Sequence, residues 1–180
     1  MTIPPDTKNW TWVVERACPE CGFDASTLDA RRVPDLLRAA SAAWADVLHR
    51  ADVRTRPRPD VWSPLEYACH VRDVCRVYDE RLRLILDEDD PLFLNWDQDA
   101  TAVEDRYAEQ DPGAVAVELA DWAERLAARF DTVDGDAWTR TGRRSDGAAF
   151  TVDTFARYFI HDVVHHLSDV GADQAGVPTR

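Results

Sequence analysis

Positive charge is scarce in this chain and comes almost wholly from arginine, Lys8 being the only lysine. Against 34 aspartates and glutamates the 21 basic residues leave a net charge of −13. Proteins that lie along nucleic acid need a basic footprint to displace counterions, so extended nucleic-acid contact is excluded, and anionic membranes are repelled. The sequence also lacks any apolar run near the length that spans a bilayer, and its start, MTIPPDTKNW, lacks the basic head and apolar core of a secretory signal. The expected compartment is cytoplasmic. Four cysteines without an export signal do not make a disulfide framework, and each needs its own reading. No internal repeat, low-complexity tract or convincing strand pattern is present.

What is present is apolar residue enough for a core. Hydrophobic residues make up 45% of 180, so one domain can form without disulfide support. Residues 1–28 have weak periodicity, two early prolines, Trp10, Trp12 and the turn Cys18-Pro19-Glu20-Cys21-Gly22. They read as an irregular arm packing its tryptophans onto a domain formed by 29–180.

Four helical patterns follow. The first carries Val33, Leu36, Leu37, Ala40, Trp44, Val47 and Leu48 at spacings of three and four. The second opens on Ser63-Pro64-Leu65-Glu66, a capping box with proline in the first turn, and runs to about Leu86. The acidic run Asp87-Glu88-Asp89-Asp90 opposes the helix dipole there and reads as a solvated terminator. A long connection over 91–110 precedes a third helix opened by Asp111 and Pro112, with Val115, Leu119, Trp122, Leu126 and Phe130 on one face. After a polar segment, Thr151 caps a fourth helix carrying Phe155, Phe159, Val163, Leu167 and Val170 and ending at Gly171. The expected fold is all-α, a four-helix bundle with an irregular N-terminal arm.

The chemistry concentrates in His161-Asp162-Val163-Val164-His165-His166. At about 100° per residue, His161 and His165 share the face opposite the apolar stripe, with Thr154, Tyr158 and Ser168, whereas His166 falls in or beside the stripe and reads as a packing residue. Two imidazoles four apart can share one metal ion if another helix supplies a third group, and His70 on the second helix is the natural donor. A site of His70, His161 and His165 suits zinc, nickel or iron and leaves a coordination position open. Glu66, Asp73 and Asp162 are candidates to orient its imidazoles. Arg72 and Arg106 could hold a substrate carboxylate, with Trp96 and Tyr107 roofing the cleft.

Trp62-Ser63-Pro64-Leu65-Glu66-Tyr67-Ala68-Cys69-His70-Val71-Arg72-Asp73, followed about ninety residues later by the histidine run, resembles the DinB-like (YfiT-like) superfamily of four-helix metalloproteins over residues 30 to 172. The resemblance implies a metal held by one residue of the second helix and two of the fourth, roles that fall on His70, His161 and His165. It implies an enzyme related to mycothiol-dependent maleylpyruvate isomerase and small-thiol S-transferases, with a metal-activated thiol passed to a small electrophile. The arginine-rich composition is compatible with a mycothiol-using host. Metal-dependent hydrolysis is the alternative activity, and a metal-binding interaction module working as a homodimer is the rival without catalysis.

Cys18 and Cys21 lie outside that family pattern. Their turn resembles half of a zinc knuckle, and Cys69 and Cys75, about 120° apart on one helix, cannot complete it as a matching pair. A second metal site, a redox pair and two reduced structural cysteines all stay open for Cys18 and Cys21.

Overall fold

The computed structural model describes residue 3 and residues 8–174. Among them are four long helices, α1 (Val33–Leu48), α2 (Pro64–Asp87), α4 (Pro112–Asp131) and α5 (Val152–Asp169), and a short α3 (Gln98–Glu104) in the long connection. The expected four-helix bundle is present. Helix α4 packs against α1 and α2, and α5 closes the ring against the same two. Ring contacts of Tyr78 with Phe155 and of His70 with His166 show α2 and α5 running antiparallel. No helix among the described residues is long and apolar enough to cross a membrane.

The helix starts follow from local chemistry. Ser63 accepts from the Glu66 backbone N–H while Glu66 accepts from the Ser63 backbone, and Thr151 and Thr154 form the same reciprocal pair at α5. At the acidic end of α2, Arg140 donates to the Ile85 and Glu88 carbonyls, supplying the positive charge that the terminus lacks in its own sequence.

The apolar stripes meet in one core. Trp44, Leu82, Ile85, Leu126, Phe130 and Phe159 are fully buried. The stripe of α5 opposite His161 and His165 is used up inside the bundle, Val163 and Leu167 being buried there, so it is not a free face for pairing with a second copy.

A small sheet also forms where the sequence shows no strand pattern. β1 (Leu92–Phe93) pairs parallel with β2 (Thr141–Arg144), which pairs antiparallel with β3 (Ala149–Thr151). Strands of two to four residues are too short for a period of two to show. The sheet caps one end of the core, and Gly142 permits this, because a Cβ there would lie 2.5 Å from Phe93 Cζ and 2.8 Å from Ile85 Cγ1. Gly142→Ala should therefore cost about 1–3 kcal/mol. In urea the midpoint should fall with the slope unchanged, and an unchanged midpoint would mean the sheet is not seated on the core.

Candidate metal centre

Between α2 and α5 lies a cavity of about 580 Å³, within the range of small-molecule sites. His70 reaches it from α2, and Asp162 and His166 from successive turns of α5. One ligand atom from each of the three lies within 4.8 Å of the others. His70 Nε2 is 3.5 Å from Asp162 Oδ2, and His166 Nε2 is 3.6 Å from Asp162 Oδ1. These separations are long for hydrogen bonds. They match the edge of a coordination polyhedron, since donors about 2.1 Å from one ion in tetrahedral directions stand about 3.4 Å apart.

The surroundings set each side chain. Trp96 stacks on His70 at 5.6 Å with planes 11° apart, and Trp62 stands against the same ring. His70 Nδ1, the ring nitrogen not turned toward Asp162, is buried without a hydrogen-bond partner. His166 Nδ1 lies 2.8 Å from Asp169 Oδ2. An ionised carboxylate can only accept, so Nδ1 donates to Asp169, which leaves Nε2 as the ring nitrogen turned toward Asp162. Burial pushes the Asp169 carboxyl up, but the hydrogen bond and charge of His166 outweigh it and hold the group below its ordinary value. Asp162 behaves alike: burial raises it, while His166 and His70 pull it well below the usual carboxylate range. The donor set fits a divalent metal.

The predicted trio lines one cavity but falls into two donor groups. His70 stands with Asp162 and His166, whereas His161 and His165 stand with Cys18 and Cys21. The reason is the N-terminal arm, which covers the outer face of α5 and buries both histidines at 4% and 8% exposure. Trp10 packs on both rings and Phe23 on His161. Burial, with His165 alongside, lowers His161 to about 4, and burial also lowers His165, so both rings are neutral. His166, expected to pack, instead faces Tyr67 and His70 with its side chain 17% exposed. At this end of α5 the inward stripe meets a cavity rather than apolar core.

The other expected residues scatter. Of the proposed roof and clamp only Trp96 lines the cavity. Arg72 is buried in ion pairs with Asp73 and Glu118 that tie α2 to α4, and Tyr107 donates its hydroxyl to Asp73 at 2.5 Å. Arg106 is exposed and pairs with Glu109. Asp73 is thus committed away from the centre, as is Glu66, which is bound to Ser63 and to Arg56 at 2.9 Å. The residues that sequence reading missed are Arg81 and Arg144, on α2 and β2, which line the cavity with Tyr158. Arg144 donates to the Tyr158 hydroxyl at 3.2 Å and pairs with Asp146. No local motif marks Arg144, since the short sheet alone brings it there.

Glu66 offers a pH test. Burial raises its carboxyl, but the hydrogen bond from Arg56 and those from Ser63 win and leave it below its ordinary value. Its stabilisation is therefore present above the unfolded carboxylate range and is lost as pH falls through the folded pKa. Glu66→Gln should cost about 1–3 kcal/mol at neutral pH. Denaturant melts should show the gap to the natural protein closing below about pH 4, and a pH-independent gap would refute the ionic role.

A family model, that of the DinB superfamily, matches residues 35–170. Comparison with curated protein sequences finds no match. Among solved structures, the chain is similar to YfiT from Bacillus subtilis, described as a probable metal-dependent hydrolase with an unusual four-helix bundle topology. The two are 17% identical, with a TM-score of 0.65 over 94% of this chain and 90% of that one, a likeness of fold. With a family model spanning all four long helices and a bundle of matching architecture, the chain belongs to the DinB superfamily.

Proposed function

We propose that this chain is a metal-dependent enzyme that activates a small thiol of the mycothiol kind and transfers it to a small anionic electrophile. The observation that carries the reading is the His70, Asp162 and His166 group opening onto a cavity whose wall also holds Arg81 and Arg144. Two imidazoles and one carboxylate suit zinc, nickel or iron and leave coordination positions for a reactant. A divalent ion bound there supplies the Lewis acidity that brings the pKa of a thiol or water toward neutrality.

The chain's own residues do the rest. Trp96 holds the plane of His70, and Asp169 fixes the tautomer of His166. Arg144, braced by Tyr158 and Asp146, and Arg81, held by the Leu94 carbonyl, present guanidinium groups to a substrate carboxylate. Trp62, Tyr67 and Trp96 give the electrophile an apolar wall and limit water.

Metal-replete protein should consume mycothiol together with a carboxylated electrophile and be slower with the uncharged analogue. Arg144→Ala should raise KM for the carboxylated substrate by about tenfold. Likeness of fold to a probable metal-dependent hydrolase favours a second reading, in which water replaces the thiol. Ester or amide cleavage without thiol consumption would select it. A metal-replete protein inert to every thiol, ester and electrophile offered would overturn both.

A further inference from the structure

The arm and α5 meet at a second group of donors, Cys18, Cys21, His161 and His165, none of which the proposed reaction uses. We propose that these four side chains form a closed structural zinc site that clamps the N-terminal arm onto α5. The inference does not rest on the reading of the cavity.

Its geometry is that of a tetrahedral S2N2 site. Cys18 Sγ lies 3.8 Å from His165 Nδ1, and Cys21 Sγ lies 3.8 Å from His161 Nε2. A zinc ion with thiolates at 2.3 Å and imidazoles near 2.05 Å sets sulfur and nitrogen about 3.6 Å apart. Those two edges stand within two tenths of an ångström of that spacing, and all four donor atoms lie within 4.8 Å of one another.

The turn is shaped for it. The Gly22 N–H donates to the Cys18 carbonyl at 2.8 Å and the Cys18 N–H donates to the Phe23 carbonyl at 2.9 Å. Gly22 at φ 77° makes the reversal that aims both sulfurs one way.

Three further observations describe the site. Both cysteines are free, with no disulfide between them. All four donors are buried, with Trp10 packed on both imidazoles and Phe23 on His161, and the two histidines also reach the cavity wall. His165 presents Nδ1 to Cys18 while its Nε2 faces Asp169 at 3.8 Å and Glu20 at 4.0 Å, carboxylates standing behind the ring as they do in zinc proteins. Binding releases two thiol protons to solvent and leaves a neutral site, tolerable where charge is costly.

The consequence reaches the cavity. His161 and His165 each precede, by one residue, Asp162 and His166. Fixing the outer pair therefore fixes the two turns of α5 that aim the inner pair. It also holds Trp10 and Glu20 in the cavity wall.

The test uses the full chain purified under reducing conditions and loaded with cobalt(II). A thiolate-to-cobalt charge-transfer band in the near ultraviolet, with the visible bands of tetrahedral cobalt, should appear. It should vanish in Cys18→Ser and Cys21→Ser and survive in His70→Ala, which empties only the cavity site. Should the cysteine variants fail to fold, the natural protein answers alone. Mass spectrometry after alkylation should show labelling of Cys18 and Cys21 rising about tenfold or more when zinc is chelated, because metal-bound thiolate is withdrawn from reaction. Absence of the band, a band lost in His70→Ala instead, or equal labelling with and without zinc would each overturn the proposal.

Discussion

His70→Ala is expected to empty the cavity centre while leaving the protein folded. Removing hydrogen-bond partners of metal ligands already costs 10–100-fold in affinity or activity, so loss of a ligand should exceed about a hundredfold. The remaining pair, Asp162 and His166, sits on one helix and cannot enclose an ion alone. Folding should tolerate the change, because the buried Nδ1 of His70 has no partner to lose. Elemental analysis should show one ion fewer per chain, and thiol transfer should fall in parallel. Retention of the full metal content would remove His70 from the centre and sink the proposed reaction with it.

Phe159→Ala should produce the opposite phenotype, with stability lost first and metal lost only as the fold goes. Phe159 is fully buried on the inner face of α5, with its ring 5.1 Å from Tyr78 and 6.3 Å from Phe130. Truncating such a ring leaves a cavity and costs about 3–5 kcal/mol. Against a total stability of about 5–15 kcal/mol that is a large fraction. At roughly 2–4 °C per kcal/mol for a chain of this size, the melting temperature should drop by about 10 °C. Calorimetry on metal-free and metal-loaded protein would show it, and a loss below about 1 kcal/mol would mean that α5 is not seated on Tyr78 and Phe130 as described.

The contrast between these variants traces what can be read along one helix. Ser63, Glu66 and Thr151 announce their helix starts because a cap is a contact between residues three apart. Phe155, Phe159, Val163 and Leu167 announce their face because burial repeats with the helical period. Arg144 and the small sheet are silent in sequence, since strands this short have no period and β1 lies about fifty residues from its partner β2 along the chain.

The histidine run shows where local reasoning stops. Helix α5 holds two pairs four residues apart, His161 with His165 and Asp162 with His166, and they differ by one residue, a rotation of about 100°. Periodicity marks both pairs as able to share an ion but says nothing of what stands opposite each. By itself, then, the sequence determined the four helices, their caps, the core stripe, and a store of imidazole, thiol and carboxylate donors fit for metal. Only the tertiary structure decided how the donors divide, with His70 brought to Asp162 and His166 across the bundle. The aperiodic arm carries Cys18 and Cys21 to His161 and His165. The physical reason is that a metal site is a convergence of distant backbone segments, set by how elements pack and not by the spacing within any one of them.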